Sequence, residues 1–291
     1  MLLSLAMLVD SAYGKSGIRL VKVIRRGDRH ELRDFTVAVR FQGDYETSYT
    51  EGDNSAVLPT DTMKNTVYAL AAAADFDQPE AFGLTLVRHF LSRNPQLTQV
   101  RVSLTDHSWR HLTTGDRAHG HAFMRRGPDT RTAVVAGGRE GTTVVAGIDD
   151  LLILKSAHSA FAGFPRDEYT TLPETLDRIL ATSMMATWRY RDAGVDFGAS
   201  WHAVRGTLLE AFATHDSLSV QHTLYAMAEA VLDAVAEVSE IKLVMPNKHH
   251  LPVDLSKFGL DNRNEIFVAT EEPFGLIEAT LARDRSASRA L

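Results

Sequence analysis

The sequence predicts an α+β fold in which antiparallel sheets carry helices on one face. Strand-like segments come in neighbouring pairs. One strand alternates apolar and polar side chains, with its apolar positions at Phe35, Val37, Val39 and Phe41. The order of elements also repeats, because a hairpin, two helices and a further strand pair occur in residues 11–138 and again in residues 139–285. The halves share this pattern without close residue identity, so we expect two similar structural units.

The first unit is expected to open with a hairpin. Its strands cover residues 18–23 and 32–41, and residues 25–28 form the turn. Further strands are predicted at residues 100–105, 121–125, 132–135 and 144–154.

Two helices are predicted between these strands. The first begins at Thr60 and Asp61, where an N-cap oxygen and a first-turn acid are favoured, and the second begins at Pro79, a good first-turn residue. Apolar side chains recur at helical spacing in both. In the first helix they are Met63, Val67, Leu70 and Ala71. In the second they are Phe82, Leu86, Val87, Phe90 and Leu91.

The second unit repeats the plan. Helices are predicted at residues 201–212 and 216–238, and the latter carries one apolar stripe. That stripe consists of Val220, Leu224, Met227, Val231 and Val235. Strands are predicted at residues 187–191, 241–245 and 266–269. Residues 112–120 match no motif.

Composition restricts the class of protein. With 291 residues, 44% of them hydrophobic and 23% charged, the chain can bury a full core as an ordinary globular protein. Its formal net charge of -6 argues against nucleic acid as a partner. The chain contains no cysteine, which excludes disulfides and thiolate metal sites and agrees with a reducing cytoplasm.

Neither end of the chain reads as a targeting or membrane segment. The apolar residues 1–9 lack a basic region, are interrupted by Asp10, and fall far short of the about 20 residues that span a bilayer. We expect them to form an arm or an early strand that packs on a partner subunit. The last four residues, 288–291, differ from the Ser-Lys-Leu peroxisomal address. We therefore expect no membrane contact and a bacterial cytoplasmic location.

A short motif near the N-terminus superficially suggests nucleotide binding. Gly14-Lys15-Ser16 resembles the end of a phosphate-binding loop, but that loop requires a glycine five residues before Gly14, where this chain has Val9. Nucleotide binding is therefore rejected. From spacing alone, Lys15 is a solvated lysine in a turn.

Four segments, taken in their order along the chain, are more specific. The first is Tyr13-Gly14-Lys15, and the second, residues 57–68, begins Val-Leu-Pro-Thr-Asp-Thr. The third, residues 161–178, begins Phe-Ala-Gly-Phe-Pro-Arg-Asp-Glu-Tyr, and the fourth is Pro-Asn-Lys-His at residues 246–249. Together they resemble the urate oxidase (uricase) family over nearly the whole chain. The resemblance implies oxidation of urate by O2 and water to 5-hydroxyisourate and hydrogen peroxide, without a cofactor.

The resemblance also implies a fold and an assembly. Members of the family have the tunnelling fold (T-fold), with two units in each chain, and four chains form a homotetramer. Active sites then lie at subunit interfaces, with Lys15 and Thr60 from one subunit and the urate-binding residues from its neighbour. The implied partners are urate, O2 and further copies of the chain.

Substrate-binding residues follow from the same resemblance. Phe161 stacks on the purine ring, and Arg178 makes paired hydrogen bonds to one edge of urate, because a planar guanidinium suits a planar anion. Gln221 binds the opposite edge with an amide that both donates and accepts, and the Val220 backbone assists. Asn247 faces the position where O2 or water binds.

A proton relay of Lys15, Thr60 and His249 is implied as well. Urate must lose a proton before it reacts with O2, and a lysine accepts a proton only when it is neutral, a state favoured by burial or a neighbouring cation. The Thr60 hydroxyl can pass a proton between the lysine and substrate or water. Thr60 at a helix N-terminus also aims backbone N–H groups at an anionic ligand, and Asp61 binds substrate through its N–H.

Each of these residues has a simpler interpretation from the residues alone. Phe161 would be a core residue, and Arg178 a surface ion-pair residue. Gln221 would be solvated in a first helical turn. Thr60 would be an N-cap, and Asp61 a first-turn acid stabilised by the helix dipole.

Paired histidines raise the question of a metal site. His249 and His250 are adjacent, and adjacent side chains in a strand point to opposite faces. His119 and His121 would share a face, but no third ligand stands nearby in sequence, which favours a plain hairpin. The zinc signatures HExxH and HxxEH are absent. We expect neither a metal nor a cofactor.

Two other functions stay open. One is a different T-fold enzyme that acts on pterins or other purines, although this chain lacks the metal-ligand signature of those that use zinc. The other is a protein that binds urate or xanthine without turnover.

Overall fold

A computed structural model describes residues 6–284. The chain divides into two compact units. The first runs to Ala146 and also includes Asp192–Gly198, and the second contains Gly147–Arg191 and the residues from Ala199 onward. Each unit contains antiparallel strands with helices packed on one face, and the α+β prediction is confirmed.

The helices and strands begin and end as follows. Up to the end of the first long run of strands they are β1 (Tyr13–Arg26), β2 (Arg29–Gly43), α1 (Glu46–Thr50), α2 (Thr60–Ala73), α3 (Pro79–Arg93), β3 (Leu97–Asp106), β4 (Trp109–Thr114), β5 (Arg117–Arg125), β6 (Thr130–Gly138) and β7 (Gly141–Lys155). The others are β8 (Leu180–Tyr190), α4 (Phe197–Thr214), α5 (Val220–Ala234), β9 (Val238–Asn247), β10 (His250–Pro252), β11 (Phe267–Ala269) and β12 (Gly275–Ala282).

In the first unit, the main sheet has the order β1-β2-β3-β6 and then the start of β7. The β1–β2 hairpin turns at Gly27, whose φ of 59° favours glycine. The predicted alternation along β2 is confirmed, since Phe35, Val37, Val39 and Phe41 are all buried. They face α2 and α3. Helix α2 buries Met63, Val67 and Ala71. Helix α3 buries Phe82, Leu86, Val87 and Phe90. Leu70 and Leu91 are only partly buried.

In the second unit, the end of β7 is followed in the sheet by β8, β9 and β12. Helix α5 packs on β9 and β12, and it buries Val220, Leu224, Met227 and Val231 as predicted. The predicted start of this helix at residue 216 is wrong. Ser217 forms a parallel bridge with Ser159, and the Ser219 hydroxyl accepts a hydrogen bond from the His222 N–H as the N-cap. The helix therefore begins only at Val220.

Several strands differ from the sequence prediction. Residues 112–120, which match no motif, belong to the hairpin of β4 and β5, which turns at Gly115 with a φ of 60°. That hairpin contains His119 and His121, as expected. Strand β8 begins at Leu180 rather than near residue 187. Strand β12 was not predicted, because its side chains show little burial and its backbone pairing with β9 leaves no sequence pattern.

The two ends of the chain lie partly outside the described residues. Residues 6–12 have no regular secondary structure, and the rest of the predicted N-terminal arm, residues 1–5, is not described. The last four residues lie outside as well. Among residues 6–284, no helix is long and apolar enough to cross a membrane.

Candidate active site

In the first unit, one hydrogen bond joins the segments that carry Lys15 and Thr60. Tyr13 lies two residues before Lys15, and Leu58 lies two residues before Thr60. The Leu58 N–H donates to the Tyr13 hydroxyl at 2.9 Å. The Tyr13 ring also meets Tyr45 edge-on, with ring centres 4.9 Å apart. Burial raises the pKa of Tyr13, so its hydroxyl stays neutral and can accept this bond.

Lys15 lies on β1 at a change of register. It pairs with Val39 on β2, and the pairing shifts between Lys15 and Ile18, where Gly17 has a φ of 69°. The preceding Gly14 has no room for a side chain, because an added Cβ would collide with the Val39 carbonyl oxygen and stand 2.9 Å from the Arg40 Cα. The glycine of this motif therefore lets β1 approach β2 closely. Lys15 itself is partly buried.

Helix α2 begins one residue earlier than an N-cap at Thr60 requires. The N-cap is Pro59, which makes no side-chain cap, and Thr60 is the first helical residue. The interpretation of Thr60 as an N-cap is therefore wrong. The Met63 N–H donates to the Pro59 carbonyl at 3.1 Å. The N–H groups of Thr60 and Asp61 precede this first helical bond, so they have no partner within the helix and can donate to an anionic group.

The Asp61 side chain is occupied locally. Its carboxylate accepts hydrogen bonds from Lys64 at 2.5 Å and from the Asn65 amide at 3.0 Å. The Lys64 ammonium holds the pKa of Asp61 below its ordinary value, and the charge of Lys15 contributes in the same direction. The side chain of Asp61 thus stabilises the first turn, and its backbone is what remains for substrate.

In the second unit, four of the predicted site residues line one cavity of about 310 Å³. They are Phe161, Arg178, Asn247 and His249. Other residues of the same segments contribute to its wall, including Ile179 and His250, and Phe267 joins them from β11. Acidic groups are present too, namely Glu174 and Asp177.

Phe161 and Arg178 are held together by backbone pairing. Phe161 forms an antiparallel bridge with Thr175, with hydrogen bonds of 2.8 and 3.1 Å. The Arg178 N–H donates to the Ser159 carbonyl at 2.8 Å. The Arg178 guanidinium then lies 5.3 Å from the centre of the Phe161 ring, close enough for a cation–π contact. The ring also stacks on Phe164, at 4.9 Å between centres.

Arg178 is not a surface ion-pair residue. Within residues 6–284 it has no acidic partner, and its buried Nε has no hydrogen-bond partner. Burial lowers the pKa of Arg178 from its ordinary value, although a guanidinium stays charged at neutral pH. A half-buried, unpaired guanidinium on a cavity wall is suited to bind a planar anion.

Asn247 and His249 follow one another where β9 ends. Asn247 is buried at the last position of the strand, between Thr182 on β8 and Gly275 on β12. The backbone then leaves the strand, with the Lys248 N–H bonded to the Ala181 carbonyl at 2.9 Å. The His249 carbonyl accepts from the Thr270 N–H at 2.9 Å.

His250 is a cavity residue that the sequence reasoning missed. Strand alternation was expected to place His249 and His250 on opposite faces, but residues 248 and 249 are not in a strand, and both histidines line the cavity. The pair His-His after Asn-Lys was the available signal. Within the described part of the chain, no group of three or more histidine, aspartate or glutamate residues could hold a metal ion.

Val220 and Gln221, the two other residues predicted to bind urate, lie outside this cavity. Val220 is buried, Gln221 is exposed, and neither belongs to the cavity wall. Their helix is nevertheless tied to the Phe161 segment. The Ala160 N–H donates to the Ser217 carbonyl at 2.7 Å, two residues before the N-cap of α5.

The sequence of the chain also matches a known protein family. The family model described as Uricase matches residues 11–136 and 144–278. The chain belongs to the uricase family. The match covers most of both units and confirms the resemblance carried by the four segments.

Individual uricases extend this result. The chain is 47% identical to the uricase of Arthrobacter globiformis over 280 residues, covering 96% of this chain and 91% of that protein. It is 37% identical to the uricase of Dictyostelium discoideum, and this match covers 97% of this chain and 99% of that protein. The crystal structure of the A. globiformis uricase has a TM-score of 0.93 to this chain, covering 98% of this chain and 97% of the other. The crystal structure of a uricase from Bacillus fastidious is 25% identical in sequence and has a TM-score of 0.81 to this chain. The match covers 94% of this chain and 93% of the other.

Proposed function

We propose that this member of the uricase family oxidises urate. In the reaction, urate, O2 and water give 5-hydroxyisourate and hydrogen peroxide, so the purine loses two electrons and O2 gains them. The observation that carries the proposal is the uricase match across both units. The cavity lined by Phe161, Arg178, Asn247 and His249 supports it, because it combines an aromatic surface, a cation and polar groups.

Substrate binding is proposed to depend on shape and charge. Phe161 would stack on the flat ring, and Arg178 would bind one edge with two parallel N–H donors. Gln221, with Val220, would bind the opposite edge once a substrate bridges the exposed start of α5 and the cavity. Asn247 would face the position of O2 or water. Each role is a proposal that rests on the motif positions, and the geometry of Arg178 supports it best.

Proton transfer is proposed to use Lys15, Thr60 and His249. Removal of a proton makes urate electron-rich, and the deprotonated purine then donates electrons to O2 directly. No cofactor is required in this scheme, because the substrate is itself the reductant. The protein contributes orientation and stabilisation of the anion. Thr60 and Asp61, at the start of α2, would add backbone N–H donors.

We also propose a homotetramer in the cytoplasm. Lys15 and Thr60 belong to the first unit and Phe161 and Arg178 to the second, and the proposal joins these two sets across a subunit interface. A dissociated protein should then be inactive. Sedimentation and urate assays at the same protein concentrations test this, and an active monomer would contradict it. Cell fractionation tests the location.

The substitution Lys15→Met separates an oxidase from a binding protein. Methionine keeps the length of the side chain but cannot accept a proton. We expect loss of urate oxidation with much of the urate binding retained. Unchanged turnover would remove Lys15 from the mechanism. Wild-type protein that binds urate without consuming it would replace the oxidase proposal with a binding function. Turnover that disappears after exhaustive chelation would favour a metal-dependent enzyme.

A further inference from the structure

Two arginines stand directly opposite each other on the sheet of the first unit. In the β2–β3 register Arg40 pairs with Arg101, and two residues along the strands Gln42 pairs with Gln99. These four residues line a cavity of about 410 Å³. Their positions alternate with buried apolar residues that face α2 and α3, so the cavity lies on the other face of the sheet.

Neither arginine has a compensating charge. Within residues 6–284, Arg40 and Arg101 make no ion pair and no side-chain hydrogen bond, and both are exposed. Like charges directly opposite in a strand pair are destabilising. Acidic residues are not scarce, since the chain has 37 Asp and Glu against 31 Lys and Arg. A bound anion would relieve the repulsion between these two cations.

The neighbouring strands leave the arginines uncovered. Gly14 on β1 pairs with Arg40, and Ala136 on β6 pairs with Arg101. The outer members of this row are thus small, and neither of these direct strand partners carries a long side chain that could cover the guanidinium groups.

The acidic groups nearby lie on the side of Gln42, away from the two arginines. Asp10 accepts a hydrogen bond from the Gln42 amide at 3.3 Å. Asp44 and Glu46 line an adjoining cavity of about 370 Å³, which they share with Gln42. Gln42 therefore already has a partner, whereas among residues 6–284 the exposed Gln99 amide makes no side-chain hydrogen bond and is available as a donor.

We propose that Arg40, Arg101 and Gln99 bind a small phosphate-type oxyanion. Two guanidinium groups can each offer two N–H donors to a tetrahedral anion, which would neutralise their mutual repulsion. The four lining residues include no aromatic ring, so the cavity lacks the stacking surface that a flat purine anion requires. This inference does not depend on the proposed urate oxidation, because none of these residues belongs to the candidate active site.

Isothermal titration of the full-length protein with inorganic phosphate tests the site. Ionic strength is held constant with sodium chloride, because surface electrostatics respond to salt. Phosphate should bind the wild type and should not compete with urate. Arg101→Gln should weaken binding roughly tenfold or more, as expected for loss of a charged hydrogen-bond donor. Glycerol phosphate in place of inorganic phosphate distinguishes a monoester ligand from the free ion.

Arg88→Gln is the matched control. Arg88 is also an exposed arginine of the first unit, on α3, and its replacement removes the same charge. Phosphate affinity should stay at the wild-type value in this variant. Equal weakening in both variants would reduce the effect to net charge and overturn the site, as would an absence of phosphate binding to the wild type.

Thermal unfolding provides a second measurement. Without phosphate, Arg101→Gln and Arg40→Gln should each unfold at or above the wild-type temperature, because the repulsion is relieved. Phosphate should raise the unfolding temperature of the wild type and not of these variants. A variant that unfolds well below the wild type without phosphate, or that responds to phosphate equally, would contradict the proposal.

Discussion

The Tyr13 hydroxyl accepts a hydrogen bond from the Leu58 N–H at 2.9 Å, and this bond links the strand of Lys15 to the segment that leads into Thr60. Neither Tyr13 nor Leu58 needs to touch substrate to affect the proposed proton relay. We expect Tyr13 to act instead as a positioning residue, because its hydroxyl joins two backbone segments. Its ring is held in turn by Phe41 and Tyr45.

Tyr13→Phe should lower kcat several-fold and affect KM less. The Leu58 N–H loses its partner, which costs about 1 kcal/mol of stability, and the two segments can shift apart. Steady-state urate kinetics and urea unfolding measure the two effects.

The matched control is Tyr45→Phe. Tyr45 donates a hydrogen bond to the Phe41 carbonyl at 2.8 Å within the same aromatic cluster, and it has no bond to Leu58. Tyr45→Phe should lower the free energy of unfolding by a comparable amount and leave kcat near the wild-type value. Equal kcat in all three proteins would show that the Tyr13–Leu58 bond has no positioning role.

Gly14→Ala should disrupt β1 and reduce activity strongly. The added methyl group would collide with the Val39 carbonyl oxygen, so the strand must move or the register must change. Gly206→Ala is the control, because Gly206 lies within α4 with open space at its Cβ position. Gly206→Ala should raise the free energy of unfolding by about 0.5–1 kcal/mol, because alanine favours a helix more than glycine does. Circular dichroism melts and urate assays distinguish the two variants. Full activity of Gly14→Ala would be incompatible with the close approach of β1 and β2.

Arg178→Lys should raise KM for urate by roughly 10- to 100-fold, because lysine keeps the charge but loses the two parallel donors. Steady-state kinetics and direct urate binding should both report the change. Arg166→Lys is a control in the same loop, where Arg166 lies over Phe164 at 5.5 Å from the ring centre. A KM that rises equally in both variants would indicate a general loosening of the loop rather than loss of a substrate contact.

Stability should fall as the pH drops below 6.5. Burial is the first cause that lowers the pKa of His89, His107 and His215 from the ordinary 6.5. Above pH 6.5 these histidines are neutral in both states and make no pH-dependent difference. Below it the unfolded chain takes up protons first, so the free energy of unfolding decreases toward the lower folded-state pKa values.

Urea unfolding at about pH 7.5 and about pH 5.5 measures this slope, since histidine titrates between them. His215→Asn should flatten the slope, although it also removes the hydrogen bond of 3.2 Å between His215 and His222 and so lowers stability at the higher pH. Identical slopes for the variant and the wild type would exclude His215 as a contributor.

Local patterns were enough to predict much of the fold. The buried alternation of β2 and the helical spacing in α2 and α3 are properties of short segments, and they predict their elements correctly. Strands β12 and β4 could not be predicted in the same way. Their residues are largely exposed. Strand β12 is held by backbone pairing with β9 and strand β4 by pairing with β5, and such backbone bonds leave little trace in side-chain type.

The candidate site shows the same division. Motif order predicted Phe161, Arg178, Asn247 and His249, which the second unit brings to one cavity. His250 was assigned to the opposite face because the end of β9 cannot be located from the sequence. The Tyr13–Leu58 bond was missed because it joins positions 45 residues apart. Gln221 requires a substrate or a further chain to complete its predicted contact, which a single sequence does not specify.

The central claim is that this protein oxidises urate without a cofactor. Its most direct test is oxygen uptake by metal-stripped protein supplied with urate, followed together with hydrogen peroxide release and the ultraviolet loss of urate. We expect one O2 to be consumed and one peroxide to be released for each urate lost, with no added cofactor. Urate that binds and is not consumed, or oxygen uptake that returns only when a metal is restored, would contradict it.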